Sequence, residues 1–254
     1  TTASTITGTA NADTLTGGTL ADTISGGAGI DTINAGAGAN TINGDAGADI
    51  INVTAGATGA ETISGGDGDD TISFTSGTLT SLDTVDGGVG TDKLKIADAS
   101  TIADDNLTNV TNMETLVMAD AATTIVLGTE ATESGIVTID YTDTPVAGRT
   151  NSLTLGATYT ADATVKIGVN TDTVDASAYV NALTITSDID SITTADTFTG
   201  GTGSSDKLTI TLDGTADTAL AAADIASITA IETFEFSTNL SAGITLHDSN
   251  IASG

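Results

Sequence analysis

The sequence is poor in the residues that normally hold a globular protein together. Its 254 residues include no Cys, no Trp and one Pro, and aromatic residues make up 3% of the chain. The absence of Cys excludes disulfides, and the scarcity of large side chains argues against a thick hydrophobic core. The only histidine, His247, excludes a histidine-based metal cluster and weakens any Ser-His-Asp proposal. No run approaches the length of a transmembrane helix, so we expect no direct membrane insertion.

Positive charge is almost as scarce. Five Lys and Arg residues stand against 34 Asp and Glu residues, which gives a formal net charge of -29. Such a chain repels nucleic acid and anionic membranes, and its own charge opposes compaction. Asp greatly outnumbers Glu, and Asp is the short carboxylate that suits tight turns and oxygen-ligand metal sites. We therefore expect calcium to be the cation that balances this charge.

A nine-residue repeat occupies the first part of the chain. The stretch "GGDGDDTIS" (65–73) shows its form, and related units begin at Gly8, Gly17, Gly26, Ala35, Gly44, Gly56, Gly65, Thr78 and Gly87. The eighth position of every unit is aliphatic, which predicts one buried side chain per unit. The sixth position reads Asp13, Asp22, Asp31, Asn40, Asp49, Glu61, Asp70, Asp83 and Asp92.

The repeat resembles the nonapeptide of the RTX family, G-G-x-G-x-D-x-U-x, in which U is a large aliphatic residue. The units "GGAGIDTIN" (26–34), "GGDGDDTIS" (65–73) and "GGVGTDKLK" (87–95) match it fully. The match covers roughly residues 4–95, with an echo near residue 200. The resemblance implies an all-β fold, namely a calcium-stabilised parallel β-roll.

The residues support this fold independently. Six residues with glycines suit a turn, and the last three residues of a unit suit a short strand whose middle side chain points inward. If one unit is half a coil, turns two units apart stack at about 4.8 Å, the spacing of paired strands. Carboxylates at that separation repel one another unless a cation lies between them. Calcium accepts six to eight oxygens in flexible geometry and fits such a row better than magnesium does.

The predicted calcium ligands are the sixth-position oxygens together with carbonyl oxygens of the turns. They are Asp13, Asp22, Asp31, Asn40, Asp49, Glu61, Asp70, Asp83 and Asp92, with turn positions Gly26, Gly44, Gly65 and Gly87. Asp67 and Asp69 are either supplementary ligands or outward charges. Because ordering nine residues costs more than burying one Ile or Leu returns, we expect the calcium-free chain to be largely unfolded.

The two edges of the predicted roll differ in composition. Odd-numbered units contribute only Asp at the sixth position, whereas even-numbered units contribute Asp22, Asn40, Glu61 and Asp83. The register is interrupted at 53–55 and 74–77, in both cases before an even unit. We therefore expect a regular calcium row on the odd edge and fewer or weaker sites on the even edge. The alternative is that both edges bind equally, since calcium tolerates varied oxygen ligands.

Short alternating runs replace the nonapeptides after residue 96. They are "TIVLG" (124–128), "GIVTIDYTD" (135–143), "NSLTLG" (151–156), "ATVKIG" (163–168), "NALTIT" (181–186) and "DKLTITL" (206–212). These runs predict strands of a continuing β-solenoid or of a β-sandwich. Residues 102–107 and 218–228 predict one or two helical turns. We divide the chain into a β-roll at 1–95 and a solenoid-like region at 96–254.

A longer motif recurs in the second region. "DTVDGGVGTDKLKI" (83–96) returns as "DTFTGGTGSSDKLTI" (196–210), and both copies are followed by an apolar stretch that ends in Glu-Thr. This duplication predicts a second, partial RTX module at 196–210, with Asp196 and Asp206 as further calcium ligands. The module also resembles those of bacterial surface-layer proteins of the Caulobacter type. That resemblance implies type I secretion and a place on the bacterial cell surface.

These features predict a calcium-binding structural protein and no enzyme, since adjacent acids in a turn need no catalytic role. It would fold in extracellular calcium and assemble with copies of itself into a lattice or filament bridged by calcium. A cell-surface polysaccharide is a second candidate partner. The alternatives are an adhesin module and the calcium-binding tail of an exoenzyme.

Overall fold

The computed structural model describes residues 2–54, 56, 59–75, 77–98, 101–118, 123–142, 149–211, 220 and 223–237. Two compact units divide the chain: unit 1 contains Thr1–Val117 and Glu130–Ile136, and unit 2 contains Met118–Thr129 and Val137–Gly254. Within the described ranges, no helix has the length and apolar character needed to cross a membrane. His247 and residues 218, 219, 221 and 222 of the predicted helical segment 218–228 lie outside these ranges. In the described part of that segment the helical prediction is wrong, because residues 223–227 form turns and Ile228 begins a strand.

Unit 1 is built from short parallel strands in two stacks. The first stack runs in the order β1 (Thr5–Thr7), β3 (Thr23–Ala28), β5 (Thr41–Ala46), β7 (Thr62–Asp67), β9 (Thr84–Val89) and β12 (Val110–Thr111). The second stack runs in the order β2 (Thr14–Thr16), β4 (Thr32–Asn34), β6 (Ile50–Val53), β8 (Thr71–Phe74), β10 (Lys93–Ile96) and β13 (Thr115–Met118). Unit 1 also holds β11 (Thr101–Ile102), a 3-10 turn at Asp104–Leu107 and helix α1 (Thr129–Ser134), whose first residue belongs to unit 2.

The eighth position of the nonapeptide forms the core of unit 1. Ile24 pairs with Ile42 and Ile42 with Ile63 in the first stack. Ile33 pairs with Ile51 and Ile51 with Ile72 in the second stack. All six side chains are buried. Because strand side chains alternate between faces, a nine-residue period places an aliphatic residue inside at every half-turn. The predicted all-β parallel roll is confirmed.

Two details of unit 1 differ from expectation. The first-stack strands β3, β5, β7 and β9 are each six residues long instead of the expected three, because they extend into the glycines of the next unit. Val53 and Phe74, which we assigned to interruptions of the register, are strand residues that pair with each other. Both side chains are fully buried. The inserted segments therefore begin only after these two residues, since each adds another buried apolar side chain to the core.

Unit 2 is also a parallel β-solenoid. One set of strands runs in the order β14 (Thr124–Leu127), β16 (Thr150–Leu155), β18 (Thr171–Asp175), β20 (Thr197–Thr199) and β22 (Ile228–Thr229). The other runs in the order β15 (Thr138–Asp140), β17 (Ala163–Ile167), β19 (Leu183–Asp188), β21 (Lys207–Thr211) and β23 (Thr233–Phe236). Every recorded pairing among the described residues of unit 2 is parallel. The solenoid interpretation is confirmed and the sandwich alternative is wrong.

The little helix that is present was only partly predictable. The 3-10 turn at Asp104–Leu107 lies within the segment 102–107 that we expected to be helical. Helix α1 was not expected. Its first turn is capped from a distance, because the Asp104 carboxylate accepts hydrogen bonds from the backbone N–H groups of Glu130 and Ala131. A cap that is 26 residues away from Glu130 leaves no local signal before the helix.

Candidate metal centre

The sixth-position side chains form a ladder along the coil. From Asp31 to Asp92, each sixth-position side chain accepts, at one oxygen, a hydrogen bond from the backbone N–H of the sixth residue one full turn earlier. Asp31, Asp49 and Asp70 provide clear examples: Asp31 Oδ1 accepts from Asp13, Asp49 Oδ1 from Asp31 and Asp70 Oδ1 from Asp49, each at 2.7 Å. The other edge repeats the pattern with Asn40, Glu61 and Asp83 as acceptors. Charged acceptors strengthen such bonds, so every acid helps to hold the preceding turn.

Within the described part of the chain, the second oxygen of several acids makes no hydrogen bond. Four of these atoms lie on the odd edge, and one lies on the even edge: Asp31 Oδ2, Asp49 Oδ2, Asp70 Oδ2, Asp92 Oδ2 and Glu61 Oε1. The five side chains are at most 1% exposed. A buried ionised oxygen without a donor is costly. These positions therefore require a cation, a proton or a water molecule.

The surroundings of these oxygens are oxygen-rich. A Cβ atom placed on Gly26 would lie 2.5 Å from both Asp31 Oδ2 and the carbonyl oxygen of Gly44 one turn later. The same pair of oxygens, a carboxylate of the unit and a carbonyl of the next turn, crowds Gly44, Gly65 and Gly87. Carboxylate and carbonyl oxygens are the ligands that calcium prefers. The residues present thus fit calcium, and glycine is required where these oxygens converge.

Burial makes four of these carboxyl groups, those of Asp49, Glu61, Asp70 and Asp92, harder to ionise. It raises the pKa of Asp70 from 3.8 to about 6, and the neighbouring Asp49 and Asp92 carboxylates add to the effect. Burial is also the main cause of the raised pKa values of Asp49, Asp92 and Glu61. Raised pKa values of clustered acids are typical of sites that bind a positive ligand.

In other units, a backbone N–H group of the same turn donates a hydrogen bond to the second oxygen of the sixth-position acid. Asp22 Oδ2 accepts a hydrogen bond from the backbone N–H of Gly18 at 2.5 Å. The backbone bonds from Gly18 and Ser4 lower the pKa of Asp22. Asp13 Oδ2 accepts the N–H of Thr9 at 2.6 Å, and Asp83 Oδ2 accepts the N–H of Thr80 at 2.7 Å. These three turns close on themselves through hydrogen bonds.

The fourth position of the unit separates the two kinds of turn. Units whose acid is satisfied carry Asn11, Leu20 or Ser81 there. Units whose acid has an unpartnered oxygen all carry glycine there, namely Gly29, Gly47, Gly59, Gly68 and Gly90. Four of these glycines have positive φ angles, from 118° at Gly29 to 145° at Gly59. The presence of this glycine predicts the turn type better than the odd or even number of the unit does. Asp13 belongs to an odd unit, yet its Oδ2 accepts hydrogen bonds from the backbone N–H and the hydroxyl of Thr9. Glu61 belongs to an even unit, yet its Oε1 makes no hydrogen bond within the described residues.

The remaining predicted ligands are less similar to one another. Asp67 and Asp69 are exposed, and Asp69 Oδ1 accepts the backbone N–H of Thr91 at 2.9 Å. Asp196 and Asp206 are buried. Their Oδ2 atoms accept backbone N–H groups, from Thr193 at 2.7 Å and from Gly201 at 2.6 Å.

Sequence reasoning missed two glutamates that end the ladders. Glu114 Oε2 accepts the N–H of Asp92 at 2.6 Å, and Glu232 Oε2 accepts the N–H of Asp206 at 2.7 Å. The residues two positions earlier, Asn112 and Ala230, share a positive φ of 54°. The Glu-Thr at the end of both copies of the longer motif was the available signal.

Side chains alone do not make a metal site here. Among the described residues, no group of three or more Asp, Glu, His or Cys side chains is placed to hold one ion. A bound ion would therefore need backbone carbonyl oxygens in addition to carboxylates, which is what the turns around Gly26 and Gly44 present.

Comparison with known proteins agrees with this geometry. The family model described as the RTX calcium-binding nonapeptide repeat (4 copies) matches residues 3–29, 16–51 and 55–73. The first part of the chain consists of RTX repeats. Repeats of this kind bind calcium and are typical of secreted proteins. No curated protein matches the sequence significantly.

Proposed function

We propose that this protein is a structural component of a bacterial cell surface that folds on meeting extracellular calcium and then assembles with copies of itself. The observation that supports this proposal is the row of buried, unpartnered carboxylate oxygens in unit 1. Bound calcium would neutralise these carboxylates and complete their coordination. The proposal assigns no catalytic reaction to the chain.

The chain's own residues determine where calcium is needed. Asp31, Asp49, Asp70 and Asp92, with Glu61 on the other edge, present an unpartnered oxygen. We assign several calcium sites to these turns, and weaker or no binding to turns that are already closed by hydrogen bonds. Affinities of about 10⁻⁴ to 10⁻³ M are typical of extracellular modules. Such sites would be empty in the cytosol and filled after export.

Self-assembly is supported by the charge and by the shape of the repeats. A formal charge of -29 keeps copies apart unless cations intervene. Regular parallel strands with outward threonines, such as Thr23, Thr41 and Thr62 in register, offer flat faces for contact between copies. We propose a surface layer or an extracellular filament, with secretion by the type I route.

Electron microscopy of the purified protein tests the assembly. Ordered sheets or fibres should form in millimolar calcium and disappear in chelator. The matched control carries Asp31→Asn, Asp49→Asn and Asp70→Asn, which keeps the size of the side chains and removes three charges. That variant should remain dispersed in calcium. Dispersed monomers of the unchanged protein under both conditions would count against assembly, while leaving calcium-dependent folding to be read from circular dichroism.

A further inference from the structure

Unit 2 contains a cavity that the calcium-binding repeats do not explain. Its volume is about 320 Å³, within the lower range of small-molecule sites. The wall runs along the carboxyl ends of β15, β17, β19 and β21, and includes Tyr141, Lys166, Ser187, Ser191 and Thr211. The nonapeptide matches end at residue 73, so this cavity lies outside the matched repeats.

Two small residues open the cavity. Ser187 pairs with Ile167 on one side and with Ile210 on the other, so it occupies a place in an inward column that is otherwise apolar. Gly168 follows Ile167 and provides no side chain at the next position of the wall. Ser187 and the two isoleucines are buried. A serine between two isoleucines leaves space that a third aliphatic side chain would fill.

The wall is apolar at its base and rich in hydroxyls at its rim. Ile167 and Tyr141 are buried, whereas Thr142 and Thr211 are exposed. The Tyr141 hydroxyl is buried and makes no hydrogen bond within the described residues. Because that oxygen is inaccessible to solvent, Tyr141 contributes its ring to the wall, and the accessible hydroxyls are those of Thr142 and Thr211 at the rim.

The charges in the wall disfavour an anionic ligand. Lys166 Nζ lies 3.1 Å from Asp140 Oδ2, so its charge is already paired. Asp188 also lines the cavity, and one of its carboxylate oxygens accepts the N–H of Asp190. An anion would meet carboxylates and a chain of net charge -29, which excludes it electrostatically.

We propose that this cavity is a binding site for one ring of a neutral saccharide. A sugar ring combines an apolar C–H face with a belt of hydroxyls, which matches an apolar base and a hydroxyl rim. The partner is thus a neutral polysaccharide or glycan. Binding uses unit 2 only and does not depend on self-assembly.

Saturation-transfer NMR on the calcium-loaded full chain tests the site, with glucose, mannose and N-acetylglucosamine as probes. At least one probe should receive saturation. Ser187→Ile restores the aliphatic column and fills the cavity, so it should lower the affinity by about tenfold or more. Thr184→Val is the matched control, because Thr184 lies on the same strand and is not part of the wall. This control should bind as the unchanged protein does.

Thr211→Val provides a second test should Ser187→Ile fail to fold. It removes a hydroxyl from the rim and keeps the shape of the side chain. Absence of saturation transfer with all three sugars would overturn the proposal. Equal binding by the unchanged protein and by either cavity variant would do the same. A loss of assembly with binding intact would affect only the proposed function.

Discussion

Units 1 and 2 share parallel strands and inward aliphatic columns, but they close their corners in different ways. In unit 1, the corner next to Gly65 holds the unpartnered oxygen of Asp70. In unit 2, the corresponding strands β17 and β19 begin at Ala163 and Leu183, which pair with each other. The corner there is filled by Tyr159 and Tyr179, whose stacked rings lie 5.8 Å apart.

In unit 2, tyrosine side chains occupy the place that we assign to a cation in the turns of unit 1. The Tyr179 hydroxyl donates to the carbonyl oxygens of Ala161 and Ala182, the same kind of group that crowds the glycines of unit 1. Both rings are fully buried. A large aromatic side chain also adds the buried apolar area that a nonapeptide lacks. A β-solenoid can therefore provide partners for the oxygen atoms of its turns either with bound calcium or with its own hydroxyl groups.

The other edge of unit 2 follows the same principle. Thr123 donates to Asn151, and the Asn151 amide donates to Asp172 at 2.8 Å. Neutral side chains therefore occupy much of a ladder that is acidic in unit 1. Asp172 and Asp196 keep this ladder partly acidic, and Asp196 Oδ1 accepts the N–H of Asp172 at 2.8 Å. Among the described residues Asp172 Oδ2 has no hydrogen-bond partner, and burial raises the pKa of Asp172 to about 7.

Removal of calcium should produce the largest difference between the units. Hydrogen exchange of the full chain in chelator should show loss of protection in strands β3 to β10, because their turns contain the unpartnered carboxylates. Strands β16 to β21 should retain protection, since Asp172 Oδ2 is the one carboxylate oxygen among their described residues that is buried without a hydrogen-bond partner. This expectation limits our initial prediction, in which the whole calcium-free chain is largely unfolded. Equal loss of protection in both units would contradict the comparison.

Single acids within unit 1 should differ in their effect on calcium binding. Asp49→Asn should lower the calcium affinity by about tenfold, or about 1.4 kcal/mol, because it removes the charge of an unpartnered oxygen. Asp22→Asn should lower the stability without changing the calcium affinity, since Gly18 already occupies Asp22 Oδ2. Asn40→Ala is a second control for the even edge. Calcium titrations followed by calorimetry measure these affinities, and equal losses for Asp49 and Asp22 would refute the distinction.

Acid should partly replace calcium in unit 1. The pKa of Asp70 is raised from 3.8 to about 6 in the folded protein, so the folded state keeps a proton that the unfolded chain releases. The resulting stability is present below the unfolded pKa and is lost as the pH rises through about 6. In chelator, circular dichroism should show more β-structure at about pH 4.5 than at about pH 7.5. With Asp70→Asn, this dependence on pH should weaken.

A tyrosine substitution should have the smallest effect on calcium-dependent folding, because its effect should be confined to unit 2. Tyr179→Phe removes a hydroxyl that serves two carbonyl groups. We expect a loss of about 1–3 kcal/mol in the free energy of unfolding. The calcium concentration at which unit 1 folds should stay the same. Denaturant unfolding in saturating calcium measures the first quantity, and a calcium titration measures the second. A shifted calcium midpoint would show that Tyr179 acts on the calcium-dependent turns.

The fold of the first 95 residues and the place of each acid in the repeat follow from the amino-acid sequence alone. A period of nine with an aliphatic eighth residue admits one parallel roll, because alternation along short strands sends that residue inside at each half-turn. The same reasoning found strands such as β16, β17 and β21 in unit 2. It missed helix α1, since the capping residue Asp104 is distant in the chain.

Which acids lack a hydrogen-bond partner for their second oxygen depends on the folded backbone. Asp22 and Asp31 occupy the same place in the repeat, yet a backbone N–H reaches the second oxygen of Asp22 and none reaches that of Asp31. The fourth residue, Leu20 in one unit and Gly29 in the other, accompanies this difference. Gly29 has a φ of 118°, a conformation that L side chains rarely adopt. The direction of a backbone N–H bond depends on such angles. Composition and spacing therefore could not show which carboxylate oxygens receive a hydrogen bond.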